Sequence, residues 1–369
     1  MFSNCYRDKR VLITGHTGFK GSWLTTWLLR LNAKICGVSL DIPTETSMFN
    51  VLELERLIEH HFCDVRDFKA LNDIVSSFKP DFVFHLAAQA IVSTSYAEPL
   101  ETISTNVLGT ANVMESLRNL ENICNAVIIT SDKCYENVEW EWGYKETDPV
   151  GGRDIYSGSK GAAEVIFHSY FMSFFNVDSP RVKVVSARAG NVIGGGDWAK
   201  DRIVVDCMES WADGKSVEIR SPAATRPWQH VLEPLSGYLT LGHQLSLDRN
   251  SNLNGESFNF GPKAEQSKTV VELLTDLGSY WDFDNIDDGH NVTSDIPFHE
   301  AGLLKLNCDK ALFHLRWEAN LYYTECVRFV SDWYYRFYRK RDCMLQLTHA
   351  QIAEYEKLAV ERSLIWTKN

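Results

Sequence analysis

The chain has no C-x-x-C pair, and its nine cysteines, at positions 5, 36, 63, 124, 134, 207, 308, 326 and 343, are odd in number and scattered. That excludes a disulfide framework and a structural zinc site, and no metal is expected. A cationic surplus is also missing. There are 37 Lys and Arg against 49 Asp and Glu, a formal charge of −12. A general phosphate-backbone binder is excluded, so no nucleic-acid partner is expected. A small anion can still be held by a few local cations. No apolar run is long enough to cross a bilayer. The opening "MFSNCYRDKR" is polar and carries no signal-peptide pattern. The expectation is a cytoplasmic protein with reduced thiols and no membrane partner. Internal repeats, low-complexity tracts and obvious linkers are absent as well.

Alternation is what fills the first half. "RVLIT", "AKICGVSL", "HHFCDV", "DFVFHLAA", "NAVIIT" and "VKVVSAR" read as strands. Between them "KGSWLTTWLLRLN", "FKALNDIVSSF", "TNVLGTANVMESLRNL" and "YSGSKGAAEVIFHSYFMSFF" have helical apolar spacing. Strands alternating with helices at this spacing predict a parallel, doubly wound α/β sheet of Rossmann type. After about Arg188 the pattern loosens into Gly, Trp and Pro turns before helical patches return at 270–281 and 321–338. The expected organisation is a nucleotide-binding domain over 1–187 and a smaller α/β, mainly substrate-binding domain over 188–369. That boundary is approximate and leaves room for interweaving.

"LITGHTGFKGSWL" joins the first strand to the first helix, with Gly15, Gly18 and Gly21 spaced G-x-x-G-x-x-G. A tight strand-to-helix turn needs a residue without Cβ, and a pyrophosphate approaching the backbone needs another. The helix N-terminus adds free N–H groups and a partial positive charge. Thr17, Phe19 and Lys20 share this loop. Asp41 follows Gly21 by twenty residues, at the end of the second strand. A carboxylate there accepts from ribose hydroxyls and repels a 2′-phosphate, so NAD is favoured over NADP. Further cofactor contacts are expected at other strand ends: Asp64 and Val65; Leu86, Ala87, Ala88 and Gln89; and Thr105 beside Asn106 at the next helix start. His16 and Lys20 are unusual in such a loop, and Lys20 either opposes the helix dipole or meets the pyrophosphate.

"YSGSK" places Tyr156 and Lys160 on one helix face at i, i+4. A nearby ammonium favours phenolate, which makes Tyr156 a usable general base. Tyr156 and Lys160 are also expected to touch the cofactor. Ser131 lies at the end of the preceding strand.

The motifs "TGHTGFKG", "HLAA", "TNVLGT", "TSDKCYE", "YSGSK" and "RAGNVIG" run in order over residues 10–196. In these the chain resembles the extended short-chain dehydrogenase/reductase superfamily of nucleotide-sugar enzymes. "GHTGFKGSWL", "SDKCYEN" and "GGRDIYSGSKGAAE" resemble the CDP-glucose 4,6-dehydratases in particular. The resemblance implies conversion of CDP-glucose to the 4-keto-6-deoxy sugar with NAD recycled, as a step toward dideoxyhexoses of O-antigen lipopolysaccharide. It assigns C4 oxidation to Tyr156, Lys160 and Ser131. It makes Asp132 and Lys133, where related dTDP-glucose dehydratases carry Asp-Glu, an acid/base pair for elimination, with Glu136 or a water as the other candidates for the C5 base. The other reading of that pair is a surface ion pair. Asn191, Arg202, Arg226 and Asn259 match family positions that hold the nucleotide diphosphate. A homodimer or homotetramer is implied too. Trp140 and Trp142 either cover the sugar or pack. Rival readings are an epimerase or another nucleotide-sugar dehydratase and, in a different class, a silent NAD-binding regulator.

Overall fold

A computed structural model describes residues 1–219, 221–247, 251–263, 266–283, 289–292 and 303–368. Seven strands make one sheet: β1 (Arg10–Thr14), β2 (Lys34–Ser39), β3 (Glu59–Phe62), β4 (Phe82–His85), β5 (Cys124–Ile129), β6 (Val182–Ala189) and β7 (Ser257–Phe260). Their order is 7-6-5-4-1-2-3, and every pairing is parallel. The order reverses between β1 and β4, so a crevice opens past the carboxyl ends of those strands.

The longer helices are α1 (Phe19–Arg30), α2 (Phe68–Phe78), α3 (Gly109–Arg118), α4 (Ile155–Tyr170), α5 (Ile203–Ala212), α6 (Leu232–Ser246), α7 (Val270–Gly278), α8 (Tyr323–Tyr335) and α9 (Met344–Glu361). Side-chain alternation along the strands splits the core between the two sheet faces. Leu12 and Val83 join Leu71 and Val75 of α2, Met114 of α3 and Phe167 of α4. Val11, Ile13 and Phe84 join Trp23 and Trp27 of α1 and Leu235 and Leu239 of α6. This second cluster continues into Trp333 of α8 and Tyr355 of α9. Among the described residues no helix is long and apolar enough to cross a membrane.

The six strands expected from sequence all form, and β7 and α6 are additions. β7 pairs with β6 through Phe258↔Ala187 although it comes far later in the chain. α6 is buried along nearly its whole length, so it shows no polar face for periodicity to reveal. The expected helix over 105–120 is broken: Pro99–Ile103 is followed by a π-turn, Ser104–Leu108, before α3. Such wide turns gather near functional sites, and this one carries Thr105 and Asn106.

Candidate active site

The turn from β1 into α1 leaves no room for side chains. Gly15 has φ +76°, and a Cβ on it would lie 2.7 Å from the Ala87 nitrogen. A Cβ on Gly21 would lie 2.1 Å from the Gly15 oxygen. Gly18 is the N-cap of α1, with no capping side chain and no acidic residue in the first turn. The helix therefore presents uncapped N–H groups beside a bare backbone cradle, which fits a pyrophosphate. Thr17 Oγ1 donates to the Asp41 carbonyl at 2.7 Å, and the Asp41 side chain is exposed. His16 turns inward instead. Its Nδ1 meets Ser39 Oγ at 2.9 Å and its Nε2 meets His60 Nδ1 at 2.7 Å. Burial, with His60 as its neighbour, lowers its pKa to about 4. The ring occupies the space a Cβ on Gly37 would need.

The remaining cofactor candidates gather at the same sheet edge. Ala87 N donates to Thr14 Oγ1 at 3.2 Å, and Thr14 Oγ1 meets His85 Nδ1 at 2.7 Å. His85 Nε2 meets Thr110 Oγ1 at 3.2 Å. Thr110 Oγ1 itself donates to the Asn106 carbonyl at 2.7 Å, which makes His85 Nε2 the donor and the ring neutral. Burial, then Lys160, lowers His85 to about 3. Asn106 receives Gln89 N at 2.8 Å and donates to the Gln89 carbonyl at 3.1 Å and to Ser159 Oγ at 2.8 Å. Leu86, Ala87, Ala88 and Gln89 are thereby pinned beside α4. Val65 is held from α3 by Asn112, which donates to its carbonyl at 2.9 Å. Asp64 is already gripped by Arg66 at 2.6 Å, whose hydrogen bonds hold its carboxyl below the usual range. Thr105 is partly exposed in the π-turn.

Past β5 the chain makes one tight turn. Ser131 caps it, accepting Lys133 N at 3.2 Å and donating to Asp132 Oδ1 at 2.9 Å. Asp132 is buried against Gly190, where a Cβ would lie 1.8 Å from Oδ2. Asp154 caps α4 by accepting Ser157 N at 2.9 Å, which orients the face carrying Tyr156 and Lys160. Lys160 Nζ lies 6.0 Å from the Tyr156 ring centroid. The ion pairs here join Arg202 to Asp197 at 2.6 Å and Arg188 to Glu164 at 2.7 Å. Among the described residues none joins Lys133 to Asp132, so the surface ion-pair reading of those neighbours is not what forms.

Electrostatics correct one expectation. Burial pushes Tyr156 up to about 12, although hydrogen bonding from Ser131 and the charge of Arg202 oppose it. Lys160 is lowered to about 8 by burial, with the charge of Glu164 opposing. Lys20 is lowered to about 8 by burial and then by Arg202, and it also feels Asp132, Lys160 and Asp197. Lys20 is thus within electrostatic reach of Arg202, Asp132 and Lys160.

The residues expected to hold a nucleotide diphosphate divide. Asp132, Gly190, Asn191, Pro227 and Gln229 line one cleft. Asn191 adopts φ +53° and its carbonyl accepts Gln229 N at 3.1 Å. Arg202 caps α5 and is partly exposed, as is Arg226, whose Nη1 donates to the Thr225 carbonyl at 2.9 Å. Asn259 does not fit. It is fully buried. Its Oδ1 accepts Tyr135 OH at 2.8 Å, and its Nδ2 donates to the Tyr144 and Asn307 carbonyls at 2.9 and 3.1 Å. Its amide is spent inside the protein. Trp140 and Trp142 are both exposed, and Trp140 tilts on Tyr144 at 5.4 Å. Sequence reading missed Glu164 and Arg188; the signal for Glu164 was its spacing, one turn beyond Lys160.

Residues 12–329 match the family described as GDP-mannose 4,6 dehydratase. The chain belongs to this family. Among members of the wider group, CDP-glucose 4,6-dehydratase of Salmonella typhimurium is 44% identical over 357 residues, 95% of this chain and 97% of that one. CDP-paratose 2-epimerase of Salmonella typhi is 27% identical, over 74% of this chain and 85% of its own. The 4,6-dehydratase fold here also resembles solved structures. The dTDP-glucose 4,6-dehydratase of Bacillus anthracis in complex with NAD superposes with TM-score 0.74 at 18% identity, covering 91% of this chain and 99% of that one. An epimerase of Methanothermobacter thermautotrophicus gives 0.78 at 21%, covering 92% and 96%.

Proposed function

We propose that the protein dehydrates CDP-glucose to CDP-4-keto-6-deoxyglucose and water. What supports this is the position of Asp132 and Lys133, read as a second acid–base pair, on the turn that also presents Ser131 to Tyr156 and Lys160. An epimerase has no use for such a pair once a 4-ketone has formed, and a silent NAD sensor has no use for the phenol. The 44% relative supplies the choice of nucleotide.

The bare cradle at Gly15 and Gly21 and the uncapped α1 N-terminus fit NAD. Gly15, Thr17, Gly18 and Gly21 would hold its pyrophosphate, Asp41 its ribose, and Ala87 and Ala88 its path along the β4 end. When bound, NAD supplies a hydride acceptor for C4 and a hydride donor for C6.

Tyr156 takes the proton of the C4 hydroxyl, with Ser131 bridging. Burial holds the resting phenol protonated at a pKa of about 12, so it first gives that proton up to solvent, with the charges of Lys160, Lys20 and Arg202 favouring the phenolate, and the phenolate is the base that then accepts the C4 proton. The 4-ketone acidifies the C5 proton, which Lys133 removes. Asp132 gives a proton to O6, the C6–O6 bond breaks, and water leaves. A proton then returns to C5. Asp132 is buried, its Oδ1 accepts from Ser131, and it lines the cleft beside Gly190 and Asn191. Arg202 and Arg226 bind the diphosphate as forks.

We also infer a homodimer or larger homo-oligomer. Leu100, Ile103 and Leu108, leading into α3, and Val165 on α4 and Met172 and Phe174 after it are exposed apolar residues in neighbouring elements, enough to seed an interface.

The test is incubation with CDP-glucose and catalytic NAD, read by mass. One water should be lost with no net NADH build-up, and UDP- and dTDP-glucose should react far more slowly. Equal turnover of all three removes the CDP assignment; steady NADH accumulation makes the protein a dehydrogenase.

A further inference from the structure

We propose that Glu164 is a positioning residue: it sets the catalytic turn after β5 against the Tyr156–Lys160 face of α4 and stands as the anion one helical turn from Lys160. The inference rests on the dehydratase reading for the roles of Ser131, Tyr156 and Lys160.

Tyr156, Lys160 and Glu164 follow one another at i, i+4 and i+8, so they lie on one face of α4, and all three are buried. The Glu164 carboxylate reaches across to the end of β5 and to strands β6 and β7. Oε1 accepts from Thr130 Oγ1, the residue immediately before Ser131. Oε2 accepts Arg188 Nη2 at 2.7 Å and Ser186 Oγ at 2.9 Å from β6, and Ser257 Oγ at 3.1 Å from β7. Arg188 carries the network onward. Its Nη1 donates to Tyr135 OH at 2.7 Å, and its guanidinium stands 4.9 Å over the Tyr135 ring. The turn that presents Ser131, Asp132 and Lys133 is therefore held at both ends, through Thr130 by Glu164 and through Tyr135 by Arg188.

Packing alone does not call for this arrangement. A buried ion pair is commonly replaceable by apolar residues of similar volume without loss of stability. Apolar residues would fill the space but would neither grip the two ends of the turn nor place an anion one helical turn from Lys160. Burial works to neutralise Glu164, but the charge and hydrogen bond of Arg188, together with the Thr130 and Ser186 hydroxyls, outweigh it and keep the carboxyl ionised. The groups facing Lys160 are Tyr156 and Glu164 on its own helix, Cys134 from the turn, His85 from β4 and Lys20 from α1. Cys134 and His85 are held neutral by burial, and Lys20 works against a second cation. Glu164 supplies the opposing anion.

The experiment uses the full-length protein and E164Q. Two quantities are read: kcat and KM for CDP-glucose, and the pH dependence of Lys160 reductive methylation, followed by mass at its peptide. E164Q should lose roughly 10²-fold in kcat, the scale of a misplaced catalytic group, with KM little changed. Its Lys160 should lose its proton at lower pH than in the parent, a shift that a purely structural role would not produce. E164D, which keeps the charge, should restore the Lys160 curve. A folded E164Q with parental kcat and an unmoved curve overturns the proposal. If E164Q does not fold, E164D decides: lowered kcat with an unmoved curve supports it, and parental kcat overturns it. Should the parent itself ignore CDP-glucose, the substrate reading fails while the Lys160 curve still judges Glu164.

Discussion

Tyr156 sits where two demands conflict. It must be buried to exclude water from a hydride-transfer site, and burial keeps its phenol protonated, pushed up to about 12, so little of the basic phenolate is present at rest. Removing the hydroxyl tests which demand matters. Tyr156→Phe should cost about 10²–10⁴-fold in the rate of C4 oxidation while CDP-glucose still binds, as measured by stopped-flow NADH formation and calorimetry. Lys160 adds a pH limit. Burial lowers it to about 8, so a rate that needs its ammonium should fall as pH rises through that value. Lys133 separates the two half-reactions. Its backbone is fixed by Ser131 while its side chain is partly exposed. Lys133→Met should let C4 oxidation proceed and then stall, so bound NADH accumulates and a C5 deuterium is no longer washed out. Wild-type exchange at C5 would take the lysine out of the elimination.

At the scale of elements, the glycine turn and the α4 face were legible because local rules govern them. Gly15 needs φ +76° and close approach to Ala87, and both needs are written into one residue type. Tyr156 and Lys160 lie one helical turn apart. Asn259 was misread because its matching position carried no information about depth: a residue on a late strand can face a ligand or the interior. β7 and α6 were invisible for a related reason. Strand Ser257–Phe260 is four residues long and α6 is buried nearly all round, so neither shows the polar–apolar period that marks half-exposed elements. Gly15→Ala should therefore weaken NAD binding by roughly tenfold or more, since left-handed backbone costs an L-residue about 1–2 kcal/mol before any clash. Quenching of tryptophan fluorescence by NAD would read it.

For the molecule as a whole, the core on one sheet face runs from Phe2 to Trp366. Trp366 stacks on Phe2 at 5.1 Å and on Tyr355 at 5.9 Å. Trp366→Ala should cost about 3–5 kcal/mol and lower the midpoint of a single cooperative thermal transition. Two separated transitions would show that the halves unfold independently. The place of β7 has a consequence for biosynthesis. On the ribosome, the nucleotide turn and the first six strands emerge long before Ser257–Phe260 can close the edge of β6. Until then that edge offers unpaired backbone groups to any neighbouring chain, and α6 is not yet there to cover the sheet. A nascent chain halted after Ala189 should engage chaperones or self-associate, and release of both should coincide with the emergence of β7.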